Sequence, residues 1–214
     1  MKRVIFFLVF LVYSFALFFL SYYSKQNEFF PLFTCFTLAF GGLFYFYLSY
    51  DVLKYKNWLG LILFVNLIPF LATPSLSPDV YRFIWDGDIM LQGINPFSYA
   101  PIDLIQTDSF QWTNRLQEVY ESGMTDLSKK HFSVYPTVNQ LYFYVSSSIT
   151  NDIDSFFIVL RILMLLTHVL GFVFIIRLLD LLSIARAKVL LIALNPLVIV
   201  ECMGNFHFEG VMLS

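Results

Sequence analysis

Between Ser77 and Pro101 the chain reads SPDVYRFIWDGDIMLQGINPFSYAP, and four ionisable residues, Asp79, Arg82, Asp86 and Asp88, fall within ten positions. Ser77-Pro78 is a helix start, because a serine oxygen takes a free N–H and proline is tolerated at the first helical position. A helix is therefore predicted from about Pro78 toward Gly87 or Gly93. At about 100° per residue, Asp79, Arg82 and Asp86 share a stripe about 60° wide. Asp79 lies in the first turn, where the helix dipole favours the ionised carboxylate. Such a group could take a proton from a sugar or lipid hydroxyl while Arg82 or a cation neutralises an anionic leaving group. The same spacing also suits a structural role in which Arg82 bridges Asp79 and Asp86 on a solvated helix. Tyr81, Trp85 and Asp88 make a second ridge, expected at the headgroup level where aromatic rings are favoured. Gly93-Ile94-Asn95-Pro96 and Ala100-Pro101 are turn signals that end the stretch.

The elements that must position these residues are set by composition. The chain is 58% apolar and 20% aromatic with 13% charged residues, and its mean hydropathy of +0.72 lies outside the range of a soluble domain. A bilayer core about 30 Å thick requires roughly 20 apolar residues in a helix. Spans are expected at about 4–24, 29–50, 57–73, 155–179 and 189–203, the first three without Asp, Glu, Lys or Arg. Met1-Lys2-Arg3 precedes an apolar run with no A-x-A-like cleavage site, so the first span is expected to be retained. Net charge near zero leaves no nucleic-acid footprint, and Cys35 and Cys202 stand singly in separate apolar runs.

Lys and Arg gather in short cytoplasmic loops. Here Lys2 and Arg3, then Lys54 and Lys56, then Arg177, Arg186 and Lys188 fall at alternating span ends. This pattern places the N-terminus in the cytoplasm and a large loop, about 74–154, outside. Residues 73–154 hold ten Asp and Glu against four Lys and Arg. Parity leaves no full crossing for residues about 136–150, whose Thr137, Asn139, Gln140 and Ser146 to Ser148 are too polar to face lipid. A re-entrant or surface helix is expected there. Another apolar run begins at Val211, so the chain is expected to be the N-terminal part of a longer protein.

Several of these blocks belong to a recognisable pattern. Asp79-Val80-Tyr81-Arg82-Phe83-Ile84-Trp85-Asp86-Gly87, Gly93-Ile94-Asn95-Pro96-Phe97, Tyr135-Pro136 with Gln140, Asn195-Pro196-Leu197 and Gly204-Asn205-Phe206-His207 resemble the bacterial GT-C mannosyltransferases that use polyprenyl-phosphate sugars. The resemblance implies an all-α, polytopic membrane fold, a single GT-C-like domain over 1–214, with juxtamembrane helices in its large external loop. It implies an inverting hexosyl transfer, of mannose, from a polyprenyl-phosphate donor to a lipid or glycan acceptor at the outer face of the inner membrane. Asp79 takes the place of the catalytic base, Arg82 and Asp86 match the motif residues that follow it, the Tyr135-Pro136 block resembles the segment that closes over the donor, and the block with Asn205 and His207 resembles a second external loop facing the site; Tyr81 and Arg161 are further candidates for donor phosphate or sugar contact. The chain departs from the pattern at Asp88, where an arginine is usual, at Thr137 after Tyr135-Pro136, and at Phe208-Glu209. Lys129, Lys130 or His131 could supply the cation absent at position 88.

The remaining candidates carry alternatives. Arg161, near the outer end of its span, could hold a lipid phosphate or snorkel to headgroups. His168 reads as a core histidine. No organic cofactor is implied; Glu201 and Glu209, which flank Asn205 and His207, could with Asp79 hold a divalent cation, though no ligand spacing is diagnostic. Two other classes compete: a carrier or flippase for lipid-linked sugars, which would line its spans with charge, and a non-catalytic scaffold.

Overall fold

The computed structural model describes residues 1–208, so Glu209 lies outside the described residues. Among the described residues ten α-helices occur: α1 Lys2–Tyr22, α2 Phe29–Leu48, α3 Tyr55–Leu67, α4 Asp79–Leu91, α5 Pro101–Leu104, α6 Asn114–Glu118, α7 Asp126–Lys130, α8 Thr137–Ile149, α9 Ile153–Leu181 and α10 Leu190–Ala193. Short 3-10 and π-helical turns join them, and no strand occurs among the described residues.

Helices α1, α2 and α9 are long and apolar enough to cross a membrane, yet only 33%, 22% and 28% of their most apolar stretches are buried by protein. Phe7, Leu11, Phe15, Phe33, Leu166 and Phe174 are left bare. Hydrating such surface costs about 25 cal/mol per Å², and hydrocarbon removes that cost. The chain is a polytopic all-α membrane protein. The two other apolar stretches are interrupted. Helix α3 passes into a 3-10 turn, Ile68–Leu71, where Pro69 has no N–H to continue an α-helix. Residues 186–204 form a helical pair bent by 54°, and Asn195-Pro196 occupies the break, since a residue before proline is pushed out of the α region.

The chain divides into two compact units, residues 1–76 with 164–214, and residues 77–163. In the first, an apolar core includes Tyr13, Leu17, Phe46, Trp58, Val65 and Leu194, and three side-chain donors in and beside it reach backbone carbonyls. The Tyr13 hydroxyl donates to the Leu194 carbonyl at 2.5 Å, Trp58 Nε1 to Tyr50 at 2.9 Å, and Asn66 Nδ2 to Ile62 and Ala193 at 2.9 and 3.2 Å. Without water, each such group needs a partner inside the fold.

The second unit is built on α4. Its first turn is met by Ser77, whose Oγ accepts from the Asp79 N–H at 3.3 Å. Its end is a Schellman motif: the N–H of Ile94 reaches the Ile89 carbonyl and that of Gly93 the Met90 carbonyl, both at 3.0 Å. Gly93 takes φ +77° there, the left-handed conformation that glycine adopts without a Cβ clash. Gly87 lies inside the helix and permits close approach to α8; a Cβ on it would fall 2.6 Å from the Phe143 carbonyl oxygen. Beside this contact Phe83 stacks on Phe143, centroids 4.4 Å apart and planes 7° from parallel.

Gly87→Ala is therefore expected to lower stability by about 1–3 kcal/mol, as overpacking does. Gly60→Ala, on an open face of α3, should be neutral or slightly stabilising because alanine favours helix. Thermal unfolding of the two purified variants checks the contrast, and equal melting temperatures would refute the close approach of α4 and α8.

Candidate functional site

Helix α4 brings its charged residues together on two opposite faces. On the first, the Asp86 carboxylate is fully buried and Arg82 is 4% exposed. Arg82 Nε donates to Asp86 Oδ1 at 2.7 Å, and the hydroxyl of Ser133 and Nε2 of Gln140 (2.9 Å) reach Asp86 Oδ2. Arg82 Nη1 donates to the carbonyls of Ser128 and His131, each at 2.8 Å. One guanidinium thus fastens the carboxylate and the carbonyls around the end of α7. Its Nη2 is buried without a hydrogen-bond partner, as is Gln140 Oε1. Burial pushes the Asp86 carboxyl above its ordinary range, while the Arg82 charge and the three donors pull it back.

Tyr135 covers this face, half-buried, its ring edge-on to Phe83 at 4.8 Å and to Phe143 at 5.7 Å. Burial first, then the negative charges of Asp79 and Asp86, hold the phenol well above its usual range, against Arg82. Tyr135 stays a neutral hydroxyl at any physiological pH. Asp79, in the first turn, is exposed. The solvated bridge Asp79–Arg82–Asp86 is therefore corrected: Arg82 pairs with Asp86 in a buried site, and the Asp79 carboxylate is left facing solvent.

The opposite ridge is also corrected. Trp85 is fully buried, stacked on Phe110 at 5.4 Å and flanked by Tyr120 at 5.5 Å and Trp112 at 6.3 Å. Tyr81 packs on Gly123 and edge-on to Phe157 at 6.3 Å. Protein, not headgroups, covers these rings, because residues 110–123 fold over them. Asp88 forms a buried bidentate pair with Arg115, whose Nε donates to Oδ2 at 2.8 Å and whose Nη2 reaches Oδ1. Arg115 Nη1 also donates to the carbonyl and hydroxyl of Thr150 at 2.9 and 3.0 Å. The cation beside position 88 is thus Arg115. Lys129 lies 4.9 Å over the Tyr120 ring, and Lys130 is exposed.

The other candidates are carried by other elements. Arg161 is buried, 1% exposed, near the start of α9. His168 is buried on the same helix, its ring 6.2 Å from Phe172. In the first unit, Asn205 Oδ1 accepts from the N–H groups of Ser75 and Leu76 at 3.2 and 3.0 Å, and Nδ2 donates to the Val200 carbonyl at 3.2 Å. Its amide holds backbone. His207 Nε2 lies 3.7 Å from Glu201 Oε2. Among the described residues, no three His, Cys, Asp or Glu side chains converge as a metal site would require.

Arg115, Ser133 and Thr150 were not singled out from sequence. Only Arg115 left a signal: it is one of four Lys and Arg in residues 73–154, and a buried Asp88 demands one of them.

A polytopic helical membrane protein with a buried acid–guanidinium centre on an aromatic-lined helix is the class that this fold and site define. Residues 17–214 match the alpha-(1->6)-mannopyranosyltransferase family, N-terminal domain. The chain belongs to that family, and it is a mannosyltransferase, an enzyme that acts on a sugar donor and an acceptor. No curated protein and no solved structure matches it.

Removing Arg82 alone strands a buried carboxylate, a change worth about 3–5 kcal/mol. Arg82→Met should therefore unfold at markedly lower denaturant than the parent. The double variant Arg82→Met/Asp86→Leu should recover most of that loss yet transfer no mannose. A double variant as unstable as the single one would refute the buried pair as the source of the loss.

Proposed function

We propose that this chain moves mannose from a polyprenyl-phosphate donor to a lipid or glycan acceptor, at the extracytoplasmic face of the inner membrane and with inversion. The observation that carries this reading is the juxtaposition on α4 of an exposed first-turn carboxylate, Asp79, with a buried guanidinium whose Nη2 lacks a partner. A buried unsatisfied donor costs about 1–3 kcal/mol; a donor phosphate oxygen reaching Arg82 Nη2 removes that penalty. Tyr135, above the same face, supplies a neutral hydroxyl to sugar or phosphate.

In the reaction the bond between the anomeric carbon and the phosphate oxygen breaks, and its electron pair leaves with the lipid phosphate. The acceptor oxygen bonds to the opposite face of that carbon through an oxocarbenium-like transition state. Its proton passes to Asp79. The Arg82 charge is worth most as the leaving phosphate gains charge, which is where preorganised electrostatics lowers a barrier. Asp86 acts through Arg82, fixing the guanidinium plane. What supports the outward face of this centre is the placement of Lys and Arg at alternating span ends.

Asp79→Asn should abolish transfer while leaving folding and donor affinity nearly unchanged, since the residue is exposed. Single-turnover transfer and donor binding, measured on the purified full-length protein, check this. Native-rate transfer by the variant would remove Asp79 from the mechanism. Cysteine placed at position 79 should react with impermeant reagents added outside the cell, and labelling solely from the cytosolic side would invert the proposed face.

A further inference from the structure

The second face of α4 borders a pocket that the transfer chemistry does not use. This cavity of about 370 Å³ lies within residues 77–163 and is walled by Asp88, Arg115, Ser147 and Thr150, with Asn114 and Asn151 exposed at its mouth. The Asp88–Arg115 pair at its base is buried and electrically neutral as a unit, so the pocket has no net charge with which to draw an anion. Beyond that pair its polar lining is amide and hydroxyl, set beside the apolar Leu91 and Leu116, and the Ser147 hydroxyl is buried without a partner. Trp112 immediately precedes the pocket residue Thr113 and is 47% exposed. That ring is braced edge-on by Phe110 at 4.9 Å and Tyr120 at 5.6 Å, leaving apolar surface for the C–H face of a sugar.

We propose that this pocket binds a neutral pyranose of the acceptor glycan. The ring held here is not the one that reacts. Asp79 and Asp88 are nine residues apart on one helix, which separates them by about 14 Å along the axis and about 180° around it. More than one sugar lies between them. The pocket therefore takes an inner mannose of a chain whose end reaches Asp79, and it favours long acceptors over short ones. This assignment rests on Asp79 as the reacting end, and its test requires no turnover.

The probes are α-(1→6)-linked mannohexaose and mannobiose, titrated against the full-length protein in nanodiscs with ligand-observed NMR. The parent should bind the hexaose at least tenfold more tightly than the biose. Trp112→Ala, and Asn151→Trp, which fills the mouth from an exposed position, should each weaken hexaose binding at least tenfold. Asp79→Asn should bind it within twofold of the parent, and inorganic phosphate should not displace it. Equal affinity for the two glycans, parent-like binding by both pocket variants, or displacement by phosphate would overturn the proposal. Native-rate transfer by Asp79→Asn would overturn the base assignment instead, leaving the binding result to stand by itself.

Discussion

Everything in the charged unit is arranged around one requirement: a carboxylate and a guanidinium on adjacent turns of α4 have both been taken out of water. Desolvating such ions costs several kcal/mol each, and attraction repays this only when the remaining hydrogen-bonding positions are filled. Asp86 is accordingly met by Arg82, Ser133 and Gln140, and Arg82 by two carbonyls besides. Those partners come from the segment after α7 and from α8, so satisfying one carboxylate fixes the course of residues 128–140. The centre is rigid where it holds charge and unsatisfied at one guanidinium nitrogen, a combination that suits a binding site better than a purely structural bridge.

Helix α4 does two jobs because its period allows it. Residues at i and i+4 share a face, so Arg82 and Asp86 look one way, while Asp88, about 200° further round, looks the other. Close packing at Gly87 holds the helix against α8, and Ser133 and Thr150, on either side of α8 in sequence, serve opposite faces of α4. In the first unit the same economy of polar groups is met by carbonyls: Tyr13, Trp58 and Asn66 each donate to backbone, as a low-dielectric surrounding demands.

How much of this could be read from the residues depends on how local the cause was. The start of α4 at Ser77-Pro78 and the Arg82–Asp86 half of the expected bridge follow from neighbours within one turn and are legible, while the end at Gly93-Ile94 is one of two ends that the residues allow. The membrane character is legible too, since hydropathy over 20 residues needs no partner. The Asp88–Arg115 pair spans 27 positions and the Asp86–Gln140 contact 54, separations at which spacing carries no signal. Burial was misjudged for a related reason. An amphipathic ridge such as Tyr81, Trp85 and Asp88 has the same pattern whether headgroups or protein cover it, and here residues 110–123 do. Asn205 was legible as a polar residue beside His207, but its use as a backbone clasp was not.

That clasp has a bearing on biosynthesis. Ser75 and Leu76, just before α4, donate to an amide that lies 130 and 129 residues further along the chain. At a synthesis rate of about 5–20 residues per second, the partner emerges on the order of ten seconds later. Until then the Ser75 and Leu76 N–H groups lack the partner that they have in the folded chain, so this tie can close only after residue 205 has been made.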